Sequence, residues 1–115
     1  MKYLLLLRGD AAAEAAMTPA QRRTMVDEHI AYASMLRERG AYVYGDPLGA
    51  PATARVMRFD GPESTVTDGP YLESKESLGG FYVIECGSLD EATELAGQLP
   101  RSPGLVAELR PIPQV

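Results

Sequence analysis

Apolar residues run without interruption from Tyr3 to Leu7 and again from Phe81 to Ile84, with no polar position to mark a solvent face. Such runs predict strands covered on both faces, over Lys2–Arg8 and Phe81–Cys86, with Gly9-Asp10 closing the first. Asp10–Met17 is alanine-rich and reads as an irregular connection or a frayed helical lead-in. The period then changes to that of a helix: Met25, Val26, His29, Tyr32, Ala33 and Leu36 recur at steps of three and four and form one core-facing stripe. Thr18-Pro19-Ala20-Gln21 supplies an N-cap hydroxyl, a proline at the first helical position and a capping-box glutamine, so this helix should run to Arg39 and stop at Gly40.

Beyond Gly40, Ala41–Gly45 reads as a strand and Asp46–Pro51 as a loop. Thr53–Phe59 alternates, with Arg55, Met57 and Phe59 on one side, and Asp60-Gly61 turns the chain into a partner strand, Glu63–Thr67. Asp68-Gly69-Pro70 breaks that strand. Tyr71–Leu78 is polar enough for an exposed loop or a short helical turn, ended by Gly79-Gly80. Ser88-Leu89-Asp90-Glu91 is a second capping box, opening a helix whose stripe is Leu89, Ala92, Leu95, Ala96 and Leu99, and which Pro100 stops. A last strand spans Leu105–Arg110.

The order is strand, helix, strand, a hairpin excursion, then strand, helix, strand. These two βαβ-like halves predict an α+β, ferredoxin-like subunit with an antiparallel sheet and both helices on one face. No element is left to cover the second face of the two doubly apolar strands. A second copy of the chain is the economical cover, so a homodimer is expected.

With 115 residues, the chain has room for one domain, 1–115. A net charge of −5 opposes general attraction to nucleic acid or to an anionic membrane, so neither is expected as a partner. Cys86 is the only cysteine, which excludes an intrachain disulfide and makes a reducing cytoplasm the simplest compartment. Tyr3–Leu7 is too short to span a bilayer or serve as a signal region, and the mature chain is expected to begin at Met1.

His29 is the only histidine, hence the side chain whose ordinary pKa lies nearest neutrality. It reads either as a general base or as a core histidine satisfied by a carbonyl or water. Asp68 reads as a carboxylate able to orient an imidazole, or as a turn former. Arg55 is a candidate grip for an anionic substrate, with a solvated strand face as the alternative. Tyr82 can donate into a pocket near the glycine pair and Tyr42 and Tyr44 can line its walls, although packing explains all three. Glu73, Lys75 and Glu76 read as a solvated loop or a lid, and Cys86 as an inert thiol. With one histidine and one cysteine no metal cluster is expected, and no cofactor: there is no phosphate-binding glycine loop and no Gly-x-Ser-x-Gly elbow.

The stretch from Asp68-Gly69-Pro70-Tyr71 through Gly79-Gly80-Phe81-Tyr82-Val83-Ile84-Glu85 resembles the signature of the YCII-related family, in its DGPF branch. Glu28-His29, Thr53-Ala54-Arg55 and Leu89-Asp90-Glu91-Ala92 extend the resemblance over nearly the whole chain. Tyr71 replaces the phenylalanine that names the branch, and Ala54 a usual valine. The resemblance implies a dimeric α+β barrel of ferredoxin-like subunits and, by analogy with relatives acting on small cyclic acids or lactones, a catalytic pair of His29 and Asp68. Gly69, Pro70 and Tyr71 of the signature then join Arg55 and Tyr82 as substrate-binding candidates. The expected function is cofactor-independent acid–base chemistry, as a lyase, isomerase or hydrolase, on a small cyclic or anionic acid. The alternative is a non-enzymatic ligand-sensing or protein-interaction module linked to an extracytoplasmic-function sigma factor, because members of this branch tend to be encoded near such factors.

Overall fold

A computed structural model describes residues 1–71 and 76–114. Its elements are β1 (Lys2–Asp10), α1 (Ala11–Ala15), α2 (Pro19–Glu38), β2 (Tyr42–Pro47), β3 (Arg55–Asp60), β4 (Glu63–Asp68), β5 (Glu76–Glu85), α3 (Leu89–Ala96) and β6 (Val106–Ile112). The main sheet has the order β2-β5-β1-β6 with antiparallel neighbours throughout. The two strands that carry the unbroken apolar runs, Tyr3–Leu7 and Phe81–Ile84, are therefore the central ones, and the fold is the α+β, ferredoxin-like arrangement. β3 and β4 pair only with each other, as a separate two-stranded sheet.

Burial along β1 alternates even though hydrophobicity does not. Tyr3, Leu5 and Leu7 are buried beneath the helices, while Leu4 and Leu6 on the opposite face are only partly covered. The core on the helical face joins Leu5 and Ile84 of the sheet to Leu36 of α2 and Leu95 of α3, all four fully buried. Each such side chain contributes about 1.5–3 kcal/mol of transfer free energy. On the other face, Phe81 and Val83 of β5 stand beside Leu4 and Leu6, and the Tyr44 ring lies 5.9 Å from that of Phe81.

Local chemistry sets the helix limits. Thr18 Oγ1 accepts from the Gln21 N–H while Gln21 Oε1 accepts from the Thr18 N–H, closing the capping box of α2. Its far end passes through Arg39 into Gly40, whose φ of 67° lies in the left-handed region. At α3, Ser88 caps the Glu91 N–H, but the Glu91 carboxylate reaches back to the Gly87 N–H, one residue before the cap. The alanine-rich lead-in is a short helix, α1, capped by Asp10.

Three expectations need correction. β5 begins at Glu76 and passes straight through Gly79-Gly80. There β2 crosses so closely that a Cβ on Gly80 would lie 3.2 Å from the Asp46 carbonyl oxygen, so the glycine marks a close backbone approach within a strand. β6 continues past Arg110 through Pro111, which an edge strand tolerates because it has a free side. The first half of the α2 stripe is not core: Val26 stays exposed, Met25 and His29 are only partly covered, and full burial on α2 begins at Tyr32. Glu73 and Lys75 of the expected lid lie outside the described residues. Among the described residues no helix is long and apolar enough to cross a membrane.

Candidate functional site

The uncovered half of the α2 stripe overhangs the sheet and leaves a cavity of about 350 Å³. Met25, Val26, Ile30 and Ala33 form its roof, Leu7, Gly79 and Gly80 belong to its floor, and His29, Tyr82, Glu14 and Arg37 bring polar groups to its walls. Such a volume lies at the lower end of the range for small-molecule sites, about 300–1,000 Å³.

His29 Nδ1 and the Tyr82 hydroxyl are 2.7 Å apart, and the two rings stack at 5.9 Å between centroids. Tyr82 is buried at 8% exposure, held edge-on by Tyr32 at 5.2 Å. Tyr32 is itself fixed by donating its hydroxyl proton to the Leu95 carbonyl at 2.8 Å. A chain of rings thus ties the imidazole to the core. Gly45 makes room for it: a Cβ there would lie 2.5 Å from Tyr82 Cδ1 and 2.9 Å from the Phe81 carbonyl oxygen.

Burial lowers the His29 pKa from 6.5, opposed in part by the negative charge of Glu28, so the ring is held neutral at physiological pH. Burial also pushes the Tyr82 hydroxyl up to about 12, which keeps it protonated. A neutral imidazole bonded through Nδ1 to a phenol has Nε2 left to accept or give a proton, according to tautomer.

Asp68, Arg55, Gly69, Pro70 and Tyr71 lie at the base of the β3–β4 hairpin, and none of them lines this cavity. Asp68 Oδ1 faces Arg55 Nε at 4.0 Å, with both side chains largely in solvent. The Gly69 N–H donates to the Ala54 carbonyl at 2.9 Å with φ at 94°, closing the hairpin, and Arg58 sits 5.6 Å over the Tyr71 ring. His29 thus meets Tyr82, and Asp68 meets Arg55. Among the tyrosines, Tyr42 lines the cavity and Tyr44 belongs to the opposite sheet face. Cys86 is partly exposed, and burial raises its thiol pKa. Among the described residues no cluster of His, Cys, Asp or Glu could hold a metal ion.

The family model of the YCII-related domain matches residues 1–113. The chain belongs to the YCII-related family. It is also 45% identical over 64 residues to an uncharacterised protein of Rhizobium meliloti (strain 1021), a match that covers 50% of this chain and 52% of that protein. The chain spans about half the length of the curated relative it matches.

Two cavity residues of this YCII-related chain escape a reading of the sequence. Arg37 extends its guanidinium 4.2 Å over the Tyr42 ring, and no carboxylate of the described residues pairs with it. Its position eight residues after His29, about two helical turns on, carries the signal in retrospect. Glu14 sits in the alanine-rich lead-in, where nothing local distinguishes it.

Proposed function

We propose that the cleft beneath α2 binds a small, mainly apolar acid and acts on it by acid–base chemistry through His29, without a cofactor. The observation that carries this reading is the 2.7 Å contact of a neutral imidazole with the Tyr82 hydroxyl at the wall of a cavity lined mostly by apolar side chains. Arg37, with its cationic head on an aromatic face, takes the role of carboxylate grip in this cleft. Lyase, isomerase and hydrolase reactions on a cyclic acid or lactone all fit a single proton-transferring imidazole.

The open sheet face with Leu4, Leu6, Phe81 and Val83 supports a homodimer. In our reading Asp68 reaches an imidazole only from the hairpin of such a second copy, because its own His29 answers to Tyr82. Light scattering at micromolar protein should give twice the chain mass; a monomer that persists across dilution refutes the dimer.

The test of function is incubation of the purified protein with a panel of small lactones and cyclic carboxylic acids, following binding and product by mass spectrometry. Product with the wild type and a loss of about a hundredfold or more with His29→Ala supports the enzyme. Binding without product across the panel, together with specific recovery of a sigma factor as partner, supports the ligand-sensing module instead.

A further inference from the structure

Glu14 brings a half-buried carboxylate to the cleft. Its carboxylate lies on the sheet floor against two glycines: a Cβ on Gly9 would fall 2.5 Å from Oε1, and one on Gly79 would fall 3.8 Å from Oε2. Among the described residues no donor is bonded to that carboxylate. The nearby cation is committed elsewhere, since Arg22 donates from Nη2 to the backbone carbonyls of Glu14 and Ala15 at 2.9 and 3.2 Å. Burial and the charge of Asp10 raise the Glu14 pKa, with Arg22 opposing them.

Along β5, Gly79 is three residues before Tyr82, or about 10 Å. Arg37 lies on the other side of the His29–Tyr82 pair, over Tyr42, whose register partner is Ile84. The cleft is therefore polar at both ends, with apolar walls and the imidazole between them. A ligand that fills it displaces water from Glu14. An apolar end strips the carboxylate and leaves it unpaired, whereas a hydroxyl or amino group restores the bond. Sites of this kind reject the analogue that lacks the donor more strongly than they reject a change of size.

We propose that Glu14 reads the far end of the ligand, so that the cleft selects small acids carrying a hydrogen-bond donor, a hydroxyl or amino group, opposite the carboxylate. This rests on the reading that the cleft takes a small acid, and the two fail differently. The probes are hydrocinnamate and its para-hydroxy derivative, titrated calorimetrically into the full chain. With the wild type the hydroxylated acid should bind about tenfold tighter, the worth of one hydrogen bond to a charged group. In Glu14→Ala the preference should fall to within about twofold, and Glu14→Gln, which keeps the shape, should lose part of it. Gly9→Ala supplies a positional control, because the added methyl takes the place of Oε1 and shifts an unaltered carboxylate; it too should erode the preference. Equal binding of the two acids by the wild type, or a preference that survives in Glu14→Ala, refutes the role of Glu14 and leaves the cleft reading standing. Failure of both acids to bind the wild type refutes the cleft reading and this inference with it.

Discussion

Replacing Tyr82 with phenylalanine removes one oxygen and leaves the ring in its slot, edge-on to Tyr32 and beside His29. The lost bond, 2.7 Å long, is of the kind worth about 0.5–1.5 kcal/mol net. The half-buried imidazole also loses the partner of Nδ1, which adds part of the penalty for an unsatisfied polar atom, about 1–3 kcal/mol when burial is complete. Tyr82→Phe should therefore cost about 1–2 kcal/mol, a fall in Tm of about 4–10 °C for a chain of this size. Urea denaturation at about pH 8, where the ring is neutral in both folded and unfolded chains, measures it without contribution from titration. His29→Ala and the double variant complete a cycle, with an expected coupling of about 1 kcal/mol. If the two single losses add to within about 0.3 kcal/mol, the contact contributes nothing to the fold, and the fixed orientation we assign to His29 falls with it.

Gly45→Ala drives a methyl into the Tyr82 ring and the Phe81 carbonyl, and should cost about 1–3 kcal/mol by overpacking while shifting the Tyr82 environment in near-ultraviolet circular dichroism. Leu36→Ala empties a fully buried position between α2 and the sheet and should cost about 2–5 kcal/mol in urea denaturation. The pH dependence follows from the lowered pKa of His29. The unfolded chain binds its proton first, so the stabilisation is complete above about pH 6.5 and is lost as pH falls toward the folded value. Urea midpoints measured across that range should decline in the wild type and decline less in His29→Ala; parallel curves would contradict a ring held neutral by burial.

What was legible in the sequence was whatever depends on near neighbours or on a periodic pattern. The Thr18–Gln21 box, the stop at Gly40 and the central places of β1 and β5 follow from spacing and from unbroken apolar runs, and all are found. The path of β5 through Gly79-Gly80 was hidden because a glycine pair looks the same whether it ends a strand or admits another backbone. The His29–Tyr82 contact spans 53 positions, so each residue could be singled out while their pairing could not. Periodicity likewise placed Val26 and His29 on one stripe but could not show that α2 lifts away from the sheet there and leaves a cavity.

The β3–β4 hairpin has a consequence for how the molecule opens. Every residue of β4 is exposed, and Met57, Phe59 and Val66 lie together on one face, each more than half exposed. A lone two-stranded ribbon is marginally stable in water, so in an isolated chain these strands form a cooperative unit of their own. Its amide protons should exchange with solvent through local opening, long before those of β1 and β5, whose exchange waits for global unfolding.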